Sequence, residues 1–255
     1  MNLRVIPCLL LHKGGLVKSV KFKDYKYVGD PINAVKIFNE KEADEISIID
    51  ISATAERRSP NYSLINEIVS EAFMPVAYGG GVCEPDQLKK IFQSGVEKII
   101  VNKSAHTTPQ LISEGAKLFG SQSIVVSIDV KKTMFKGHRV FTDNGKNDTG
   151  LSPSSFAKQM ESMGAGEILL NSIDRDGTYK GYDHELIYSV SHAVSIPVVA
   201  VGGASSLDDF RIARESGASA VAAGSMFVFK RPHQAVLINY PSQQEFDKTL
   251  FKKEQ

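Results

Sequence analysis

Four aspartates and two pairs of glycines are the residues of this chain best suited to chemistry. The aspartates are Asp50, Asp129, Asp174 and Asp176, and the glycine pairs are Gly80-Gly81 and Gly202-Gly203. A carboxylate partly removed from water holds its proton more tightly and can exchange it near neutral pH. Glycines at the end of a strand let backbone N–H groups approach an anion such as a phosphate. Each glycine pair has polar followers: Asn102-Lys103-Ser104 after the first and Gly224-Ser225 after the second. Each set leads into the start of a helical pattern, where the helix dipole favours negative charge. Asp176 and Thr178 are placed with the same phosphate-binding set, Thr178 as a further donor. A plainer reading also exists. The glycines allow tight turns, a strand-end aspartate caps a loop, and Asp174-Arg175-Asp176-Gly177-Thr178 is an ion-paired turn. Duplication of the glycine pair with its partners favours anion sites. Asp129, ending the run Ser127-Ile128-Asp129, is the candidate general acid or base. Asp50 fits either reading.

The elements that must position these residues are short β-branched runs alternating with amphipathic helices. Candidate strands are Arg4–Leu10, Glu45–Ile51, Pro75–Tyr78, Lys98–Val101, Ile124–Asp129, Glu167–Ile173, Pro197–Val201 and Ala220–Ala223. Most are nearly continuous apolar runs, as expected of parallel strands covered on both faces. Helices are expected over Asp86–Ser94 and Asp208–Glu215, each followed by a capping glycine, Gly95 and Gly217. The polar stretch Lys131–Lys146 reads as a hairpin or long loop. Eight such units make either a closed barrel or an open doubly wound sheet.

An internal repeat decides between them. Met74–Ser104 resembles Ile196–Met226, with Pro75, Gly80, Gly81 and Gly95 matching Pro197, Gly202, Gly203 and Gly217 at one offset of 122 residues. Ala43–Ser52 matches Ala165–Asp174 at the same offset. A four-strand unit used twice implies an α/β fold, a single (β/α)8 TIM barrel with a twofold internal repeat. It would span residues 1–255, with half-barrels of about 1–120 and 121–255.

In such barrels the site lies at the C-terminal ends of the strands. The two glycine loops then face each other across one mouth, which suits a substrate with a phosphate at each end. Strand one, RVIPCLLLHK, falls beside strand five, SIVVSIDVKK, at an offset of 119 residues, which aligns Leu10 with Asp129; leucine cannot donate, accept or carry a proton. Arg4, Glu45, Lys98 and Glu167 should ring the opposite end, either as a stabilising rim or as the closure of a central passage.

Composition narrows the setting. With 255 residues, 42% hydrophobic and net charge +1, the chain can bury a large core and carries no bias toward nucleic acid or membrane. Cys8 and Cys83 have no metal-ligand spacing and suggest reduced thiols in a cytoplasmic protein. The apolar run Val5–Leu11 reads as a buried strand, not a signal or a span. His12, His106, His138, His184, His192 and His233 are scattered and read as surface or loop residues. No metal or organic cofactor is expected.

Over nearly its full length the chain resembles HisF, the cyclase family of imidazole glycerol phosphate synthase. The matching stretches are RVIPCL, LVK (Leu16–Lys18), GDP (Gly29–Pro31), GGG (Gly79–Gly81), FGSQSIVVSID (Phe119–Asp129), GAGEILLNSIDRDGT (Gly164–Thr178), GYD (Gly181–Asp183) and GGA (Gly202–Ala204). The resemblance implies a partner, a HisH-like glutaminase subunit docked at the barrel bottom. Its ammonia would cross the barrel to close an imidazole ring on a bis-phosphorylated ribulosyl substrate. Arg4, Glu45, Lys98 and Glu167 match the family's ammonia gate, Glu97 a position facing the glutaminase, Lys18 the lysine of the mobile loop, and Asp129 one of two catalytic aspartates. The other aspartate belongs at position 10, where this chain has leucine. The loop His12–Leu16 and the segment Ala235–Phe246 also depart from the histidine-pathway pattern. These departures resemble a HisF-like branch that supplies ammonia for amidino-sugar formation in surface polysaccharides. Expected, then, is an ammonia-receiving barrel with weakened ring closure. The alternatives are a working cyclase and, third, a barrel that binds phosphorylated metabolites without catalysis.

Overall fold

The computed structural model describes residues 3–250. Eight parallel strands close on themselves: β1 (Arg4–His12), β2 (Ile46–Asp50), β3 (Val76–Gly79), β4 (Lys98–Val101), β5 (Ile124–Thr133), β6 (Glu167–Ser172), β7 (Val198–Val201) and β8 (Ala220–Ala223). Each pairs with its neighbours in chain order. β8 returns to β1 with Arg4 opposite Ala220, and β5 meets β6 with Asp129 opposite Asn171. Helices separate the strands, so the expected (β/α)8 barrel is the fold. β3 and β4 recur at β7 and β8 with the same lengths, 122 residues on.

Alternation along the strands sorts the side chains into two cores. Residues facing the barrel axis form a cluster that includes Ile6, Cys8, Ala77, Ile100, Val125, Leu169, Val199, Val201, Ala220 and Ala222. Those facing outward, such as Leu9, Leu11, Ile48, Ile99, Ile128 and Leu170, pack under the helices. Small residues on β3 and β8 leave room for larger ones on β4 and β6, which is how a barrel interior fills.

Local sequence explains where helices begin and stop. The helix Leu207–Glu215 starts at Ser206, whose hydroxyl accepts from Asp209 N–H (3.4 Å), while Asp209 accepts from Ser206 N–H (2.9 Å). The helix Pro85–Gln93 starts with Gln87 accepting from Cys83 N–H (2.7 Å) and Glu84 N–H (3.1 Å). Both end before a glycine in left-handed backbone, Gly95 (φ +90°) and Gly217 (φ +104°).

Two hairpins extend the barrel at its C-terminal mouth. The second, at 131–146, follows expectation: β5 overruns the barrel to Thr133 and Gly137–Thr142 folds back on it. The first was not legible in the sequence. Strands Gly15–Val20 and Lys23–Gly29 fold back on the end of β1, with Leu10 opposite Val17. The two hairpins follow β1 and β5, the equivalent strands of the two halves.

Candidate functional site

The C-terminal strand ends enclose a cavity of about 340 Å³. Asp129, Leu10, Lys18, Asn102, Asn171, Asp176 and both glycine loops line it. Asp129 ends the barrel part of β5 and is 9% exposed. Its register with β6 brings Asn171 alongside, and Asn171 Nδ2 donates to Oδ1 (3.3 Å). Asn102 Nδ2, just beyond β4, donates to Oδ2 (3.1 Å). Burial pushes the Asp129 carboxyl up to about 7, against the pull of these two amides. A carboxyl with that pKa exchanges protons at neutral pH. Asn171 is the site residue that sequence reading missed. The available signal was alternation, since it lies in register with Asp129 and so shares its face.

Leu10 lines the cavity, half-buried, near the end of β1. Lys18 comes from the first hairpin and is 6% exposed. Its Nζ donates to the Cys8 carbonyl, and burial lowers its pKa. Gly224 is glycine for reasons of space: its φ is −112°, but a side chain there would run into the Lys18 ammonium. Asp176 accepts from Ser19 Oγ–H (3.1 Å), and Lys21 N–H donates to its carbonyl (3.0 Å). The first hairpin is thus latched across the mouth.

The other carboxylates are committed elsewhere. Asp50 is held by Arg58 Nη2 (2.7 and 3.0 Å) and accepts from Ser52 and Ala53 N–H. It anchors the loop between β2 and the next helix while also lining the cavity. Asp174 accepts from Lys132 N–H (2.8 Å), tying β6 to the second hairpin. Thr178 does not line the cavity; its hydroxyl donates to the Arg175 carbonyl (2.7 Å).

The glycine loops turn tightly in backbone that other residues avoid. Gly80 and Gly202 have φ of +119° and +96°. A Cβ on Gly80 would collide with the Asp50 carbonyl, and one on Gly202 would come within 2.7 Å of the Ser172 carbonyl. Gly81, Gly203, Ser104 and Ser225 complete the two loops on the cavity wall. Ser104 Oγ donates to the Val82 carbonyl (2.7 Å), and Gly81 N–H donates to Thr54 Oγ1 (3.3 Å).

At the barrel bottom the four expected charges close a ring. Arg4 Nη1 meets Glu45 at 2.7 Å and Nη2 meets Glu167. Lys98 Nζ reaches Glu45 at 2.9 Å and Glu167 at 3.0 Å. The side chains of both glutamates are 6% exposed. Charge balances around the ring, and the apolar interior lies directly above it.

A family model described as histidine biosynthesis protein matches residues 4–232. The chain belongs to the HisF family. A provisionally named imidazole glycerol phosphate synthase subunit hisF2 of Pseudomonas aeruginosa is 51% identical over 245 residues, 96% of this chain and 98% of that one. The imidazole glycerol phosphate synthase subunit HisF of Clostridium botulinum strain Okra is 43% identical over 249 residues, 97% and 98% of the two chains. The similarity to HisF proteins thus spans nearly the whole chain. No described helix is long and apolar enough to cross a membrane, and no group of three or more His, Cys, Asp or Glu among the described residues could hold a metal ion. His138 is not a free surface residue; it pairs with Asp183 at 3.1 Å.

Proposed function

We propose that this chain is the barrel subunit of a glutamine amidotransferase complex. It docks a HisH-like glutaminase at the charged ring and conducts ammonia to the mouth. Its own ring-closing activity is weakened by Leu10, and its nitrogen serves amidino-sugar formation. The observation that carries the reading is a closed, balanced ring over an apolar barrel interior, combined with an apolar side chain where a proton-transfer group would face Asp129. Neutral ammonia crosses such an interior at far lower cost than ammonium. The glycine loops on opposite sides of the mouth, Gly80-Gly81 with Asn102 and Gly202-Gly203 with Gly224-Ser225, offer phosphate-type sites for a bis-phosphorylated acceptor.

One observation favours a second reading, a working imidazole glycerol phosphate synthase cyclase of histidine biosynthesis. Asp129, with its carboxyl at about 7, and Lys18 are both in place in the same pocket. The test is ammonium-driven turnover of the family's bis-phosphorylated ribulosyl substrate, with Leu10→Asp in parallel. Slow or absent turnover that rises at least about tenfold in Leu10→Asp supports the first reading, since a positioned acid–base group contributes about 10²–10⁴-fold. Turnover as fast in the parent as in Leu10→Asp establishes the second. Failure to pair with any glutaminase sinks the first.

A further inference from the structure

The cavity wall carries two carboxylates besides Asp129 and Asp176, and both are neutralised. Asp50 is paired with Arg58, and Asp143 with Lys103 at 2.6 Å. Asp176 is different. It stands on the loop after β6, lines the cavity, and has no Lys, Arg or His nitrogen within 4.0 Å among the described residues. Its carboxylate accepts from neutral donors, Ser19 Oγ–H and the Phe22 backbone N–H. A phosphate beside it would meet like charge, so the glycine loops are the anion donors and Asp176 is free for another task.

We propose that Asp176 is the second proton-transfer group of this pocket, working with Asp129 in the role that Leu10 cannot fill. The proposal rests on the reading of the mouth as the place where ammonia adds to a phosphorylated acceptor. In that addition the nitrogen lone pair forms a bond to a carbonyl carbon, and the C=O π pair moves onto oxygen. One carboxylate takes a proton from the nitrogen cation, and the other, in its acid form, gives a proton to the oxygen. The product is a carbinolamine, one proton has moved from nitrogen to oxygen, and no oxidant or reductant is needed.

Three features support the pairing. Asp176 and Asp129 line the same cavity close enough for the charge of Asp176 to raise the Asp129 pKa further. Burial raises Asp176 itself, so both groups hold protons more tightly than in water. Finally, the partners of Asp176 belong to the first hairpin: Ser19 Oγ on its carboxylate, Lys21 N–H on its carbonyl, and Lys18 nearby. Gly177 packs against the Ser19 carbonyl with no room for a side chain. The second carboxylate is therefore positioned by the same closure that covers the pocket.

The experiment is ammonium-driven turnover of the bis-phosphorylated ribulosyl substrate from pH 6 to 9, comparing the parent with Asp176→Asn, Asp176→Glu, Ser19→Ala and Asp129→Asn. Asparagine keeps an acceptor for Ser19, so the latch survives. The expected result is slow but measurable parental turnover with a two-limbed pH profile. Asp176→Asn then loses about 10²-fold or more in kcat and one limb of the profile, with KM changed by less than about threefold. Asp176→Glu regains part of the rate, and Ser19→Ala loses less than about tenfold and keeps both limbs. Parental turnover no higher than a protein-free blank overturns the proposal. So does an Asp176→Asn variant that keeps kcat and profile while raising KM. Neither result bears on glutaminase pairing, which is measured separately by complex formation.

Discussion

Replacing Lys98 by methionine removes one of two cations from the bottom ring and leaves Glu45 and Glu167 sharing Arg4. Lys98 Nζ lies 2.9–3.0 Å from three carboxylate oxygens. Removing one partner of a buried ion pair costs about 3–5 kcal/mol, because the other charge stays buried without compensation. The Lys98 side chain is 20% exposed, so water relieves part of this, and about 2–3 kcal/mol is expected. In a chain of this size that lowers the melting temperature by roughly 5–10 °C. In urea the midpoint falls with an unchanged slope. The double variant Lys98→Met/Glu167→Gln restores charge balance around the Arg4–Glu45 pair and recovers at least half of the loss. In the complex, Lys98→Met also weakens glutamine-driven turnover while ammonium-driven turnover persists, because only the first needs a controlled entry. A single variant costing under about 0.5 kcal/mol, or a double variant less stable than the single, would refute the ring as a coupled charge network.

Further expectations concern the mouth. The Asp129 carboxyl titrates near 7 in the folded chain against an ordinary value of 3.8, so the native state binds this proton more tightly than the unfolded chain does. The associated stability is present below about pH 4 and is lost as pH rises to about 7. Asp129→Asn should flatten this decline and be more stable than the parent at pH 8 by roughly 2–4 kcal/mol, read from urea melts across pH. Gly202→Ala places a Cβ 2.7 Å from the Ser172 carbonyl in left-handed backbone. It should cost about 1–3 kcal/mol in the same melts and weaken inorganic phosphate binding measured by calorimetry. Arg58→Ala leaves Asp50 buried without its cation and should cost about 1–3 kcal/mol, with most of the loss recovered in Arg58→Ala/Asp50→Asn.

Much of this architecture was legible because repetition amplifies weak signals. One glycine pair is compatible with any turn, but two pairs at a fixed offset, each followed by a strand and polar donors, specify facing loops on a closed sheet. The bottom ring was legible for a similar reason: Arg4, Glu45, Lys98 and Glu167 each stand at the start of an apolar run. Roles set by tertiary pairing were not. Asp50 also stands at a strand end, and only the approach of Arg58 from the following loop shows that it is ion-paired while Asp129, among the described residues, is not. Asn171 looked like part of a strand until register placed it against Asp129. The first hairpin escaped notice because its turn, Lys21-Phe22, holds positive φ without glycine; the turn out of β1 does carry one, Gly14. Thr178 shows the converse, a donor type at a mouth position whose hydroxyl is already used within its own turn.

The measurement that tests ammonia receipt most directly is titration of the purified chain with a HisH-type glutaminase subunit, following both complex formation and glutamine hydrolysis. The proposed function predicts a one-to-one complex at micromolar concentration or tighter, and weaker binding for a variant in which Glu45 and Glu167 are both glutamine. Absence of any complex, or binding indifferent to loss of the ring charges, would contradict it.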